Sequence, residues 1–296
     1  MAHIADGTPE WEIHAIEYGR HSGRLVYENF TAPLPEGFDR HDAPMPMSFF
    51  VWVLRHGDRA IAVDTGFDRA QAATRSRELV LPVEDGLRAL GIAPDRLKDV
   101  ILTHLHWDHA GNLGLFPEAR FHVQTREMAY CTGPCMCREA LRRPYSVEDV
   151  ASLLRRVYTG RVRFHDGTAE IAPGVQVHMV GGHSRGLQIV TVNTRRGRVV
   201  LASDAVHYFA NIETDAPFPL VDSVADMLDG FDLIRRLAPS QAHIVPGHDP
   251  DVLRRYPESL GAHLPGIVRL DAEPVQRTRR QMPDREGAGL AKTQKV

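Results

Sequence analysis

The chain has 296 residues, 43% of them hydrophobic and 25% charged, with a formal net charge of -3. That size allows one large domain or two small ones, and the charge balance gives no electrostatic case for a nucleic-acid or membrane partner. Lysine occurs only at Lys98, Lys292 and Lys295, so Schiff-base and P-loop chemistry have almost no candidate residue.

Residues 1–10 carry Asp6 and Glu10 and no apolar run, unlike a secretory signal, and no stretch approaches the length of a membrane span. The cysteines Cys131, Cys135 and Cys137 are an odd cluster and read as free thiols, not as a disulfide framework or a further zinc site. A soluble, cytoplasmic protein is expected.

Residues 11–18 and 24–30 read as strands, and the following stretch to Met47 holds Pro33, Pro35, Pro44 and Pro46, which mark an ordered loop. The apolar run 48–54, the turn His56-Gly57-Asp58 and the run 60–63 predict an antiparallel hairpin. It ends in Asp64-Thr65-Gly66, where Asp64 either orients a ligand histidine or caps a helix starting near Asp68. Residues 68–79 and 84–90 have helical composition, with Gly91 as a stop. A strand at 99–103 is followed by a turn or short helix at 110–112, a strand at 120–123 and helices at 125–131 and 147–158. Residues 132–146, with Gly133, Pro134 and Pro144, read as a surface excursion that forms part of a lid.

Five further strands, at 161–164, 168–171, 175–180, 187–192 and 198–202, alternate with glycine-bearing turns. An amphipathic helix at 224–237 and a buried strand at 242–245 close the pattern. Strands and helices thus fall into two blocks meeting near residue 150, which predicts two sheets packed face to face with helices outside, a four-layer α/β arrangement. The domain limits expected are an N-terminal extension at 1–10, one domain at 11–262 and a flexible tail at 263–296.

The densest chemistry lies in Thr103-His104-Leu105-His106-Trp107-Asp108-His109, after the apolar run Val100-Ile101-Leu102. Imidazole and carboxylate are ligands that zinc and similar divalent metals prefer. In an extended segment residues two apart point the same way, so His104 and His106 can share one ion. Asp108 and His109 are adjacent and must diverge, which argues for a second ion beside the first. Further ligand candidates follow at strand ends: His183 in Gly181-Gly182-His183-Ser184, Asp204 in Ala202-Ser203-Asp204-Ala205 and His248 in Pro246-Gly247-His248-Asp249.

These motifs, together with Asp64-Thr65-Gly66 and the continuation to Asn112, resemble the metallo-β-lactamase superfamily over residues 11–257, and within it the N-acyl-homoserine lactonase branch. The resemblance implies an αββα sandwich and two Zn2+ ions, with Mn, Co or Fe as other candidates. It places His104, His106 and His183 on one ion and Asp108, His109 and His248 on the other, with Asp204 and a hydroxide between them. The reaction implied is attack of that hydroxide on a lactone or ester carbonyl, Asp108 passing the proton to the leaving alkoxide.

Those lactonases carry a tyrosine three residues past the bridging aspartate. Here the third residue is His207 and the fourth Tyr208, so both are candidates to meet the substrate carbonyl. The pocket is expected to be walled by residues 38–49, by 131–145 and by Phe209, Phe218 and Met227. Two alternatives share the ligand set: a thioester hydrolase of the glyoxalase II kind, for which Arg254 and Arg255 are the candidate basic patch, and a non-catalytic metal-binding member. A small-molecule lactone or ester is the expected partner, and a homodimer is left open.

Overall fold

A computed structural model describes residues 7–31, 43–259 and 264–275. Its organising hairpin is made of β1 (Glu12–His21) and β2 (Met47–His56), paired antiparallel. Successive side chains of a strand face opposite ways, and here both faces are apolar. Ile16, Tyr18, Phe49, Val51 and Val53 belong to one core, whereas Ile13, Ala15, Phe50, Trp52 and Leu54 belong to another. A sheet covered on both sides needs a layer on each, and the rest of the chain supplies them.

The chain continues through β3 (Arg59–Val63), α1 (Arg69–Thr74), β4 (Glu78–Leu79), α2 (Val83–Ala89), β5 (Asp99–Ile101) and β6 (Arg120–Gln124). After α3 (Thr125–Cys131), α4 (Glu139–Arg142) and α5 (Val147–Tyr158) it adds β7 (Val162–His165). The second sheet is built from β8 (Thr168–Ala172), β9 (Val175–Met179), β10 (Gln188–Thr194) and β11 (Gly197–Ser203). Then come α6 (Phe209–Glu213), α7 (Val224–Leu237), β12 (Ile244–Pro246), α8 (Asp251–Arg255) and β13 (Ile267–Arg269). Strand order is β13-β1-β2-β3-β5-β6-β7 in the first sheet, with β4 on β1, and β12-β11-β10-β9-β8 in the second.

Val175, Val177, Val190, Val199 and Leu201 of the second sheet pack with Trp52, Leu54 and Val63 of the first. Helices α2, α3 and α5 cover the outer face of the first sheet through Leu87, Met128 and Leu153, and α7 covers the second through Met227, Phe231 and Ile234. The four layers expected are therefore present. Burying each such side chain stabilises the fold by about 1.5–3 kcal/mol, which is why the layering follows from the patterning. Among the described residues, no helix is long and apolar enough to cross a membrane.

Four expectations are corrected. Residues 24–30 form no strand: Val26–Glu28 is a 3-10 turn, because the Glu28 carboxylate accepts from the Leu25 N–H at 2.9 Å and Asn29 donates to the Leu25 carbonyl. Local side-chain bonds of this kind replace ladder pairing. The helix expected over 68–79 stops at Thr74; Ser76 then takes a left-handed φ of 53° and Glu78–Leu79 pairs with β1. The blocks meet after β7, which lies parallel to β6 in the first sheet, not near residue 150. A strand, β13, stands where the tail was expected to begin, pairing Ile267 with Ile16, and Asp271 accepts from the Ile13 N–H at 3.2 Å. The remainder of that tail from 276, residues 1–6 of the N-terminal extension and residues 32–42 of the proline-rich loop lie outside the described residues.

Candidate metal centre

Parallel pairing of β3 with β5, and of β11 with β12, brings the C-terminal ends of these strands to one edge of the sandwich. Each end delivers a polar side chain. At the end of β3, Asp64 turns left-handed (φ 64°) and aims its carboxylate back at the next strand. It accepts from the Thr103 N–H at 2.7 Å, the Thr103 hydroxyl at 2.8 Å and His109 Nδ1 at 2.8 Å. The two readings of Asp64 are thereby separated: it orients His109, and the helix is capped by Asp68, which accepts from the Gln71 N–H.

The other rings are fixed in the same way. His183 Nδ1 donates to the Leu220 carbonyl at 2.7 Å, and His248 Nδ1 to the Ser48 carbonyl at 2.8 Å. With Nδ1–H turned outward, the Nε2 lone pairs of His109, His183 and His248 face inward, the tautomer that a metal takes. They converge on Asp204. His109 Nε2 and His248 Nε2 lie 3.1 Å and 3.0 Å from its Oδ1, while His183 Nε2 and His104 Nε2 lie 3.2 Å and 3.9 Å from its Oδ2. The Asp108 carboxylate stands 3.5 Å from His109 Nε2 and 3.8 Å from His248 Nε2.

Backbone strain gathers here. Ser203, just before Asp204, holds φ 44°, and Gly247, just before His248, approaches so closely that a Cβ would come within 2.7 Å of the Ser203 carbonyl. Positions of this kind persist only where the surroundings enforce them.

His104 Nε2, His109 Nε2 and Asp204 Oδ1 are buried with no hydrogen-bond partner. A buried polar atom left unpaired costs about 1–3 kcal/mol, so three facing one another call for an occupant. The groupings His104/His106/His183, His104/His109/Asp204 and Asp108/His109/His248 each place ligand atoms within 4.8 Å of one another. Asp204 turns one oxygen to each outer set. The donor set, neutral imidazoles with two carboxylates, fits a pair of divalent cations.

The electrostatics agree. Burial holds His104, His106 and His183 below the usual histidine range, so they are neutral and able to ligate. Burial opposes charge on His109 too, but Asp204, Asp108 and Asp64 outweigh it and raise its pKa. A cation at the centre would answer that same negative field and release the proton.

His207 and Tyr208 separate sharply. His207 Nε2 lies 2.9 Å from Asp204 Oδ2, its ring is stacked on Phe218, and burial holds its pKa down to about 3. Tyr208 is turned away: its buried hydroxyl donates to the Pro46 carbonyl at 3.2 Å, and it is absent from the cleft above the centre. Accordingly, Tyr208→Phe is expected to leave kcat/KM within about twofold. His207→Ala should lower kcat about tenfold or more by freeing Asp204, with steady-state rates and metal content measured on the same samples.

That cleft, about 410 Å3, is lined by Met47, Phe49, Trp107, Pro144 and Leu220 as well as by centre residues. Phe209, Phe218 and Met227, expected as walls, do not line it: Phe218 backs His207, and the other two are buried in the inter-sheet and helix cores. Arg254 and Arg255 do not line it either; both face Asp251.

Sequence reasoning missed Glu127. This fully buried carboxylate of α3 accepts from the Leu105 N–H, the Tyr145 hydroxyl, the Ser184 hydroxyl and the Gly186 N–H, tying the loops that carry His104, His106 and His183. The signal was an acidic residue on the same helical stripe as Cys131, which faces inward.

A helix-flanked double sheet with this ligand cluster at its strand ends defines a class, and the family model of the metallo-beta-lactamase superfamily matches residues 47–255. The chain belongs to that superfamily. It is 34% identical over 134 residues to an N-acyl homoserine lactonase of Bacillus thuringiensis, covering 45% of this chain and 48% of that protein. The match therefore spans about half the length of that relative. A second similarity, 27% over 271 residues, covers 84% of this chain and 92% of the N-acyl homoserine lactonase AttM of Rhizobium radiobacter. Among solved structures, a quorum-quenching N-acyl homoserine lactone hydrolase superposes with a TM-score of 0.64 at 26% identity, over 84% of this chain and 96% of that one.

Proposed function

We propose that the protein is a metal-dependent hydrolase that opens a lactone or a closely related carboxylic ester. The observation that carries this reading is the convergence of unpartnered His104 Nε2, His109 Nε2 and Asp204 Oδ1 beneath an open cleft that Asp204 itself lines. The lactonases to which the chain is similar supply the substrate class.

His104, His106 and His183 would hold one ion, Asp108, His109 and His248 the other, and Asp204 both; zinc suits the donors best, with Mn, Co or Fe as alternatives. Two divalent ions there would supply Lewis acidity and a water of near-neutral pKa. The chain's own residues do the rest. Asp108 faces the cleft and its backbone carbonyl is held by the Tyr18 hydroxyl at 2.5 Å, which places its carboxylate to take the proton of the attacking water and return it to the leaving alkoxide. His207, which also lines the cleft, is bonded to Asp204 through Nε2 and so positions that carboxylate. Asp64 fixes the His109 ring.

The test is a panel of N-acyl homoserine lactones, simple γ- and δ-lactones, aryl esters and a thioester, run on metal-loaded and chelated protein with metal content measured. Turnover of a lactone or ester that disappears on chelation and returns with metal is expected. Full turnover by metal-free protein, or none by loaded protein, overturns the reading, and a thioester preferred over every lactone and ester moves it to the glyoxalase II kind.

A further inference from the structure

The cleft carries a feature that lies outside the metal centre. Arg24, Arg75, Arg77 and Arg143 all line it, together with the centre residues His106 and Asp108. They come from separate segments: the turn after β1, the turn after α1, and the loop following α4. Elsewhere arginines such as Arg20, Arg59, Arg88 and Arg269 lie against carboxylates. Among the described residues, none of these four has a carboxylate within the 4.0 Å of an ion pair. Glu28 shares the wall, but its carboxylate accepts the Leu25 N–H.

The guanidinium groups are braced by neutral acceptors. Arg77 Nη1 donates to the Arg75 and Ser76 carbonyls at 2.7 and 3.2 Å, and its Nε is buried without a partner. Arg24 donates through Nε to the Asn29 side chain and through Nη2 to the Glu28 carbonyl at 2.8 Å. Arg75 donates to the Arg143 and Tyr145 carbonyls and lies over the Trp107 ring at 4.7 Å. Between Arg75 and Arg77, Ser76 holds the left-handed φ of 53°, a strained conformation for a residue with a Cβ, and this turn sends both arginines to the same cleft. Burial first, and then Arg24, lower the pKa of Arg77, so the two cations are held together against their repulsion.

Asp108 and Glu28 favour the charge on Arg77, and Asp108 and Asp149 that on Arg75, but among the described residues none closes an ion pair with them, so like charges gathered in one concave site still focus potential and draw an anion. A planar guanidinium fork matches a carboxylate in two parallel hydrogen bonds. We infer that the substrate carries a carboxylate in addition to the carbonyl that is cleaved, received by Arg24 and Arg77 while its hydrocarbon part lies along Met47, Phe49 and Trp107. This rests on the hydrolase reading above. The substrate class is then a carboxylate-bearing lactone or ester; hydrolysis breaks the acyl C–O bond, water's oxygen joining the acyl carbon and a proton joining the alkoxide, to leave a hydroxy diacid or an alcohol with a diacid.

Matched pairs test it on the metal-loaded protein: a γ-butyrolactone bearing a γ-carboxylate against its primary amide, and 4-nitrophenyl hemisuccinate against 4-nitrophenyl butyrate, with N-hexanoyl homoserine lactone as the neutral acyl reference. The carboxylate member is expected to have at least tenfold higher kcat/KM, a preference that shrinks as ionic strength rises. Arg77→Gln and, separately, Arg24→Gln are expected to reduce the carboxylate-to-neutral ratio at least tenfold, with circular dichroism and thermal midpoint checking that each variant is folded. A neutral member preferred, a ratio untouched by both variants, or a phosphate-bearing analogue preferred over the carboxylate overturns the inference. If the loaded protein hydrolyses none of these compounds, the hydrolase reading falls. Calorimetric binding of succinate then decides the cleft by itself: binding lost in Arg77→Gln supports a carboxylate site, and no binding by the native protein overturns it.

Discussion

Asp108→Asn is expected to lower kcat on the best lactone or ester by about 10²- to 10⁴-fold, the range that a positioned proton carrier contributes. The side chain is buried at 8% exposure yet lines the cleft, so it meets both the centre and whatever lies above it. Burial by itself would push its pKa up; His109 and His248 outweigh that and hold it below the ordinary carboxylate range. It is therefore charged in the neutral region, the form in which a proton carrier begins its cycle. Asparagine keeps the shape and one acceptor oxygen but neither the charge nor the proton capacity. The grouping Asp108/His109/His248 also loses its only anion, so the ion it would hold should bind more weakly while that of His104/His106/His183 is kept. Single-turnover rates and metal stoichiometry, measured side by side, separate the two effects. Wild-type turnover with a full metal complement in the variant would remove Asp108 from the mechanism.

What could be seen in advance followed from local rules. The inner strands read correctly because both their faces are apolar, and the ligand candidates stood out because each follows such a strand within a few residues. Distance along the chain hid the rest. β13 is three residues long, too short for any periodicity, and becomes a strand only by pairing with β1 some 250 positions earlier, Ile267 against Ile16. The segment from Arg24 to Phe30 has strand composition, but after a lone antiparallel bridge of Leu25 with Pro44 the bonds from Glu28 and Asn29 turn its backbone and no ladder continues. Tyr208 shows how little displacement matters. Tyr208 is extended backbone just ahead of α6, where neighbouring side chains point to opposite sides, and that one step moves the side chain from Asp204 to the Pro46 carbonyl. The arginine cluster was invisible for a related reason: its members are scattered over the sequence and are gathered by the left-handed turn at Ser76 and the loop following α4.

Glu127→Gln should destabilise the fold and loosen one half of the centre. Oε1 accepts from the Leu105 N–H and the Tyr145 hydroxyl, both at 3.0 Å, and Oε2 from the Ser184 hydroxyl at 2.6 Å and the Gly186 N–H at 3.1 Å. An amide presents one oxygen and one NH2. Either hydroxyl can rotate to accept from the NH2, but neither backbone N–H can. Whichever way the glutamine faces, one buried N–H is left without an acceptor, at a cost of about 1–3 kcal/mol, and the strength of the charged acceptor is lost as well. For a chain of this size the thermal midpoint should fall by roughly 2–6 °C. Burial raises the Glu127 pKa while the four donors pull it back toward the carboxylate. Leu105 lies between His104 and His106, and Ser184 follows His183. The loosened half is therefore the one formed by those three histidines, whose metal affinity should drop about 10- to 100-fold. Asp108, His109 and His248 keep their own supports, so metal titration should show the opposite site weakened from that of Asp108→Asn. A midpoint shift with both affinities unchanged would make Glu127 a packing residue and nothing more.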